Sequence, residues 1–155
     1  MLINNGNGTF APKVDYPTVA HSFSIVAPDL NGDGKPDLAV GSHLGNGVSV
    51  LLNNGNGSFA PAINYAAGWN PESIAAVDLN GDGKPDLAVA NRSSNTLSVL
   101  LNNGNGAFID RIDYPTGSQP YSVATADLNG DGKPDLAVAN YSSNTVSVLL
   151  NACLP

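Results

Sequence analysis

The stretch DLNGDGKPDLAV occurs three times without change, at residues 29–40, 78–89 and 127–138. Each copy places side-chain oxygens at its first, third, fifth and ninth positions and a glycine at its sixth. Calcium takes six to eight oxygen ligands at close range, and alternate positions of a tightly curled loop converge on one point. The glycine permits the left-handed backbone that such a curl requires. The stretch therefore predicts three structural calcium ions per chain.

The predicted ligands are the four oxygen-bearing side chains of each loop and the backbone carbonyl of its seventh residue. They are Asp29, Asn31, Asp33, Lys35 and Asp37; Asp78, Asn80, Asp82, Lys84 and Asp86; and Asp127, Asn129, Asp131, Lys133 and Asp135. The pattern resembles the first half of an EF-hand loop, but valine stands at the twelfth position and an apolar segment follows directly, which indicates a strand. The alternative is that Asn-Gly and Asp-Gly merely form turns, for which two such residues suffice.

The acidic charge is concentrated in these loops. The 155-residue chain, the size of one domain, has 13 acids and 6 bases, hence a net charge of −7. The loops hold nine acids and three lysines, a balance of −9 + 3 = −6, which leaves −1 for the rest. Because the chain has no basic face and no long apolar run, we expect no nucleic-acid partner and no membrane insertion. The single Cys153 cannot form an internal disulfide.

The repeat has a period of 49 residues. The acidic loop follows this period, and so does the turn NNGNG, which begins at residues 4, 53 and 102. Such a period with several short apolar segments is typical of a β-propeller blade. The second repeat predicts strands at Ser73–Val77, Leu87–Asn91, Thr96–Leu101 and Phe108–Tyr114. We therefore predict an all-β fold of four-stranded antiparallel blades, about three per chain.

The motif DxNxDGxxDLAV, with NGNGxF downstream, resembles the FG-GAP/VCBS repeat of integrin α-subunit propellers and of many secreted bacterial proteins and lectins. The resemblance covers essentially the whole chain. It implies calcium ligands at the loop positions named above and an extracellular or cell-surface location. The letters FG-GAP themselves are weakly kept, since the sequence has FAP at residues 10–12 and 59–61 and FID at 108–110.

The repeat divides the chain into an N-terminal outer strand at 1–17, blades at 18–66 and 67–115, a partial blade at 116–151 and a tail at 152–155. The strand Phe10–Tyr16 is then the outer strand that the last blade lacks. Propeller rings have four to eight blades, so three blades are too few. We expect self-association that closes the ring, most simply as a six-bladed homodimer. The alternative is that the chain is part of a longer ring.

The repeats differ most in the loops opposite the acidic loops. There, residues 49 apart form varied sets of aromatic, amide and charged side chains. Aromatic rings stack on the apolar faces of sugars or peptides, and amides bond to their hydroxyl groups. The tentative ligand-binding residues are Trp69, Asn70, His43, Arg92, Tyr141, Gln119 and Tyr121. The alternatives are that unconstrained loops drift and that Trp69 packs against a neighbouring blade.

Two classes of function remain open on the sequence alone. The first is an extracellular recognition or adhesion module whose variable loops bind a glycan or a protein. The second is a structural scaffold, natural or engineered, that assembles into a symmetric propeller; a weaker alternative is an accessory domain of a secreted enzyme. We do not expect an enzyme, because His21 and His43 stand at non-equivalent repeat positions and no nucleophile turn such as GxSxG occurs.

Overall fold

The computed structural model of the protein describes residues 1–152, so Cys153 and most of the predicted tail lie outside the described residues. Within them the chain is all-β, with no helix, and consequently none that could cross a membrane. The strands are β1 (Ser22–Val26), β2 (Leu38–Ser42), β3 (Gly47–Leu51), β4 (Ile63–Ala66), β5 (Pro71–Val77), β6 (Asp86–Asn91), β7 (Thr96–Asn102), β8 (Phe108–Pro115), β9 (Pro120–Ala126), β10 (Asp135–Asn140) and β11 (Thr145–Leu149).

The strands form three antiparallel sheets, one per repeat. Their orders are β1-β2-β3-β4, β5-β6-β7-β8 and β9-β10-β11, so each strand pairs with its neighbour in sequence. The two inner hairpins of every sheet are the acidic loop and a four-residue polar turn, and both turn the chain sharply through left-handed residues. The prediction of an all-β, antiparallel repeat fold is confirmed.

The core lies in two layers, one on each side of the middle sheet. Every residue of β6 is buried, and alternate side chains of a strand point to opposite faces. Leu87 and Val89 pack with residues of the first sheet, whereas Ala88 and Ala90 pack with residues of the third. A strand that is apolar on both faces requires a neighbour on both sides, which is why the repeats stack face to face.

Hydrogen bonds join each sheet to the next at two equivalent places. One is an asparagine amide at the end of a third strand, which donates to the second residue of the preceding acidic loop. The other is a backbone N–H of an inner strand, which donates to a serine of the preceding inner strand. The bonds are Asn102 Nδ2 to Leu30 O (2.9 Å), Asn151 Nδ2 to Leu79 O (2.7 Å), Ile74 N to Ser24 Oγ (3.1 Å) and Val123 N to Ser73 Oγ (3.2 Å).

The N-terminal segment differs from the prediction, because no strand forms over Phe10–Tyr16. Its backbone pairs instead with residues 1–4, through a single bridge between Asn4 and Phe10 and a bond from Ala11 N to Ile3 O (2.8 Å). A strand forms along its whole length only beside a partner of equal length, and residues 1–4 provide a short one. β11 therefore remains an edge of the third sheet within the described chain.

We predict that Asn102→Ala lowers the free energy of unfolding by about 1–3 kcal/mol, because Leu30 O and Pro85 O lose a buried donor. The control is Asn103→Ala in the same turn, whose exposed side chain accepts the N–H of Asn105. Exposed substitutions of this kind change stability by about 0.5 kcal/mol or less. Urea denaturation followed by circular dichroism measures both; equal losses would contradict the role of the inter-sheet bond.

Candidate functional site

Each acidic loop curls around the carboxylate at its first position. In the first loop, Asp29 Oδ1 accepts the backbone N–H groups of Gly32 (2.8 Å) and Asp33 (3.2 Å), and Oδ2 accepts that of Gly34 (2.7 Å). Gly34 has φ = 78°, in the left-handed region that the curl requires. The loops that begin at Asp78 and Asp127 repeat these bonds. The three identical sequences therefore fold into three equivalent curls.

The carboxylate at the ninth position is fully buried in all three loops and joins the loop to an asparagine sixteen residues later, which begins the NNGNG turn in the first two repeats. Asp86 Oδ2 accepts the backbone N–H of Leu79 (2.9 Å), and Oδ1 accepts that of Asn102 (2.8 Å). Asp37 and Asp135 make the equivalent pairs of bonds. We call this arrangement the aspartate clamp. The sequence predicted this residue as a metal ligand, and the structure adds its role as an acceptor for two separate backbone segments.

The loop carboxylates differ in acidity according to their environment. The N–H of Gly132 holds the pKa of Asp127 below its usual value, and the hydrogen bond from the Lys35 ammonium lowers the pKa of Asp33. Burial raises the pKa of Asp86, partly offset by the N–H groups that it accepts. Hydrogen bonds to the ionised form favour it, whereas desolvation opposes it. At Asp127 and Asp33 the lowered pKa favours the ionised carboxylate, which is the form that a hard cation requires of its ligands.

The donor set fits calcium in its chemistry. Each loop offers two carboxylates that are at least partly exposed, one amide oxygen, one backbone carbonyl and the buried carboxylate within nine consecutive residues. A carboxylate oxygen with one hydrogen bond keeps a lone pair for a metal. In residues 1–152, however, no three histidine, cysteine or acidic side chains gather closely enough to form a metal cluster. Binding therefore requires the exposed side chains of the loop to move inward around the ion.

The opposite face of the sheets brings six of the seven predicted binding residues together. We define the variable-face cluster by its eight side chains, which are Phe23, His43, Asn70, Glu72, Arg92, Gln119, Tyr121 and Tyr141. The exception is Trp69, whose side chain is 66% exposed and makes none of the contacts that join the cluster. Its backbone N–H bonds to Ser94 Oγ (2.6 Å). The structure therefore places Trp69 beside the cluster rather than within it.

The centre of the cluster is the buried side chain of Glu72. Its Oε1 lies 2.9 Å from His43 Nδ1 and 3.6 Å from Arg92 Nη1, while these two side chains are partly exposed. Among the described residues, Glu72 Oε2 and Arg92 Nε are buried without a hydrogen-bond partner. Buried polar atoms are seldom left in this way, and sites that bind ligands are a common reason.

Aromatic rings continue the cluster across all three sheets. Phe23 of β1 lies 5.7 Å from the ring of His43 and 6.4 Å from that of Tyr121 in β9, measured between centroids. The Tyr121 ring lies 6.1 Å from that of Tyr141. The first strands of the first and third sheets thus approach each other past the middle sheet. The inner edges of the sheets converge at this face.

The connection between sheets keeps one backbone conformation while its side chain changes. His21, Asn70 and Gln119 are equivalent, and their φ angles are 59°, 56° and 53°. Asparagine tolerates this left-handed region, whereas other residues with a Cβ adopt it rarely. Asn70 Nδ2 lies 3.3 Å from His43 Nε2, and Gln119 Oε1 accepts from Arg92 Nη2 (3.4 Å). A fixed backbone with varied side chains is not what unconstrained loop drift produces.

Glu72 and Phe23 are the residues of this cluster that the sequence analysis did not select. Glu72 is the only glutamate of the chain and stands at the start of an apolar strand, between Pro71 and Ser73. A single charged residue in such a segment is a signal that a partner lies nearby, since buried charges are normally paired. The repeat spacing supplied the equivalence of these positions, but only the fold shows that they meet.

Together, the three oxygen-rich curls and the stacked antiparallel sheets define an all-β repeat protein with one acidic loop per repeat. The model of the FG-GAP-like repeat matches residues 1–40, 29–89 and 78–138. The chain belongs to the FG-GAP-like repeat family, as the motif predicted. No curated protein sequence matches the chain.

Solved structures show the same fold in larger proteins. The chain is similar to part of the Photorhabdus luminescens Tc holotoxin pore, with 21% identity, a TM-score of 0.60, and coverage of 97% of this chain and 8% of that one. It is similar to part of TcdB2-TccC3 without its hypervariable C-terminal region, with 21% identity, a TM-score of 0.56, and coverage of 99% of this chain and 7% of that one. It is also similar to an Agrocybe aegerita lectin that recognises non-reducing terminal N-acetylglucosamine. The identity is 22%, the TM-score is 0.50, and the match covers 98% of this chain and 57% of that one. The chain thus spans less than two thirds of each of these proteins.

We predict that Asp86→Asn lowers the free energy of unfolding by about 2–3 kcal/mol in EGTA, because an amide offers one oxygen where the clamp accepts two N–H groups. The matched control is Asp82→Asn at the exposed fifth position of the same loop. It should leave stability in EGTA within about 0.5 kcal/mol of the parent. Urea titrations in EGTA measure both, and an unchanged Asp86→Asn midpoint would refute the clamp.

Proposed function

We propose that the protein is a calcium-stabilised recognition module of β-propeller architecture that binds a glycan or a protein at the variable-face cluster. The observation that carries this proposal is the separation of the two faces. Residues that are identical in the three repeats form the loops of one face, and residues that differ converge into one cluster on the other. A constant scaffold that presents a varied surface is typical of binding proteins, in which loops carry function.

Calcium is proposed to be structural in each of the three acidic loops. The curl around the first carboxylate already directs its backbone N–H groups inward, so that the remaining carboxylate and carbonyl oxygens are available to a cation. Each ion would be held by the five residues predicted above for its loop, which gives about one ion per repeat and fifteen residues in all. Binding to the folded chain alone raises the stability of the fold by mass action.

The chemistry of the cluster favours a ligand with both apolar and hydrogen-bonding surfaces. Phe23, Tyr121 and Tyr141 are 55%, 44% and 70% exposed and offer ring faces. Arg92 adds guanidinium donors and Gln119 an amide to the same cluster, and Glu72 Oε2 is buried there with no hydrogen-bond partner among the described residues. Sugars combine an apolar ring face with hydroxyl groups, which matches this set. A protein loop with an aromatic residue and a basic group is the other ligand of this chemistry.

The propeller architecture and an extracellular or cell-surface location complete the proposal. The convergence of the inner strand ends, with Phe23 and Tyr121 in contact, supports sheets that fan around an axis. The location rests on the family resemblance. Adhesion follows if the ligand lies on another cell. The purely structural scaffold remains the second candidate, favoured by the three unchanged copies of residues 29–40, which suit assembly into a symmetric ring.

We expect removal of calcium to lower the melting temperature strongly. Saturation at about 100 times the dissociation constant contributes about 2.7 kcal/mol per site, and this contribution is lost in EGTA. Adding Ca²⁺ should restore the melting temperature better than Mg²⁺, because magnesium demands a smaller, more rigid octahedral site. Differential scanning calorimetry measures the effect. A variant with Asp33, Asp82 and Asp131 all changed to Asn should lose most of the calcium response, and an unchanged curve for the parent in EGTA would sink the idea.

A glycan array and a protein pull-down, each with and without calcium, test the recognition role. Arg92→Ala should weaken binding of any ligand found by at least tenfold, because it removes donors at the centre of the cluster. Trp69→Ala should weaken it only if the ligand extends beyond the cluster. Asn54→Ala, in the turn at the opposite face, is the control and should bind like the parent. Binding that is equal for Arg92→Ala and the parent would exclude the variable-face cluster.

A further inference from the structure

We propose that the free edge of β11 binds residues 10–17 of a second copy of this chain, and that two copies joined in this way form one closed ring. The inference is independent of the proposed ligand and of the recognition role. It rests on a contact that the chain repeats internally and leaves incomplete at its two outer sheets. The third sheet, with the edge of β11, supplies one half of that contact. Residues 10–17 and the outer face of the first sheet supply the other half.

Within the described residues, the third sheet lacks both the fourth strand that its equivalent has and a neighbouring sheet on its outer face. In the second sheet β8 pairs with β7, and Leu97 and Val99 of β7 are 0% and 7% exposed because they pack in the core layer against the third sheet. Their equivalents in β11, Val146 and Val148, are 64% and 53% exposed. An exposed apolar edge strand with unpaired backbone groups is a ready site for another strand.

Residues 10–17 are the repeat equivalent of the strand that is missing. They precede β8 by 98 residues, that is, by two repeats. The pairing of β7 with β8 therefore transfers directly to β11 and this segment. It places Val148 opposite Val14, as Val99 is opposite Ile112, and Ser147 opposite Asp15, as Ser98 is opposite Asp113. Val14 is 46% exposed in the single chain and gains cover in this register.

A polar match supports the same register. Ser98 Oγ donates to Asp113 Oδ1 (2.6 Å), and in the first sheet Ser49 Oγ donates to Asn64 Oδ1 (2.7 Å). Ser147 Oγ accepts from Gly117 N (3.0 Å) and Asn140 Nδ2 (2.9 Å), but among the described residues no acceptor receives its own hydrogen.

Asp15 is the side chain that this register brings to Ser147. It is held by Lys13, as Asp113 is held by Arg111 (2.8 Å). The N-terminal segment therefore carries the acceptor that the edge of β11 lacks, already oriented by a base two residues away. A strand that lacked an acceptor at this position would leave the hydroxyl group unmatched.

The sheet faces behind this edge match in the same way. Ile74, which packs between the first two sheets, is 6% exposed, whereas its equivalent Ile25 on the outer face of the first sheet is 60% exposed. Leu30 is 1% exposed, whereas Leu128 on the outer face of the third sheet is 50% exposed. The inter-sheet bonds extend across the new contact, from Asn53 Nδ2 of one copy to the Leu128 carbonyl of the other, by analogy with Asn102 and Leu30.

A second copy is the occupant that meets all these requirements at once. The contact is head to tail, with the third sheet of one chain against the first sheet of the next, and such contacts make closed rings when the rotation closes. Two chains with three sheets each give six blades, within the four to eight of known propellers. Each chain would then supply the outer strand of the other's third sheet.

The first experiment measures the size of the 155-residue chain in calcium by light scattering after gel filtration. We expect a species of two chains at micromolar concentration. Val148→Glu places a charge in the proposed contact and should yield a single chain. Leu44→Glu changes an equally exposed residue (55%) in the turn between β2 and β3, and should remain a pair. A parent protein that is a single chain, or that forms assemblies of three or more chains, overturns the two-chain ring.

The second experiment tests the register by disulfide trapping, in chains that carry Cys153→Ser so that only introduced thiols react. Chains with Val14→Cys are mixed with chains with Val148→Cys and oxidised. We expect a reducible covalent pair, because these positions are directly opposite. The control mixes Val14→Cys with Val146→Cys, a shift of two residues, or about 7 Å, which exceeds the reach of a disulfide. Equal yields in both mixtures, or no covalent pair in either, overturn the proposed strand exchange.

Discussion

The buried carboxylate of the aspartate clamp is the interaction on which the rest of the structure depends. Asp37, Asp86 and Asp135 each accept one N–H from their own loop and one from an asparagine sixteen residues further along the chain. Hydrogen bonds to a charged group contribute about 1.5–3 kcal/mol each, and a buried carboxylate without them is strongly unfavourable. The clamp therefore fixes the acidic loop, the turn and the strands between them as one unit. The same asparagine, Asn102 or Asn151, donates its side-chain amide to the preceding sheet, so the clamp also positions the contact between neighbouring sheets.

The sequence alone predicted the parts of the fold that the period of 49 residues encodes. Strands β5 to β8 lie where the repeat placed them, with β5 beginning two residues earlier, because local apolar segments and turn residues decide those elements. No strand forms over residues 10–16 in the single chain, where residues 1–4 are the segment that pairs with it, and the predicted pairing with the last blade stays a prediction. The clamp was read only as a metal ligand, since the turn that it bonds lies too far along the sequence for a motif to show.

The variable face was predictable as a surface but not as a cluster. Spacing identified His43, Arg92 and Tyr141 as equivalents, yet Glu72, which joins His43 to Arg92, was not selected from the sequence. Burial explains the difference, because a sequence shows that a residue is charged but not which neighbours surround it. Trp69 is the opposite case. It was predicted to bind ligand as the single tryptophan of the chain, whereas the fold leaves its exposed side chain outside the contacts of the cluster.

Within each acidic loop, the buried carboxylate and the other two carboxylates have separate roles, and this separation decides what the proposed calcium would do. The clamp bonds involve only the buried ninth carboxylate and backbone N–H groups, so they hold the loop without help from an ion. The carboxylates at the first and fifth positions repel each other when both are ionised, and a bound cation would reduce that repulsion. The proposed calcium would therefore add stability that grows with the logarithm of its concentration relative to its dissociation constant, rather than create the fold. Because the acidic loops and the variable-face cluster lie at opposite ends of the same sheets, the proposed metal binding would stiffen the end of each sheet that is remote from the cluster.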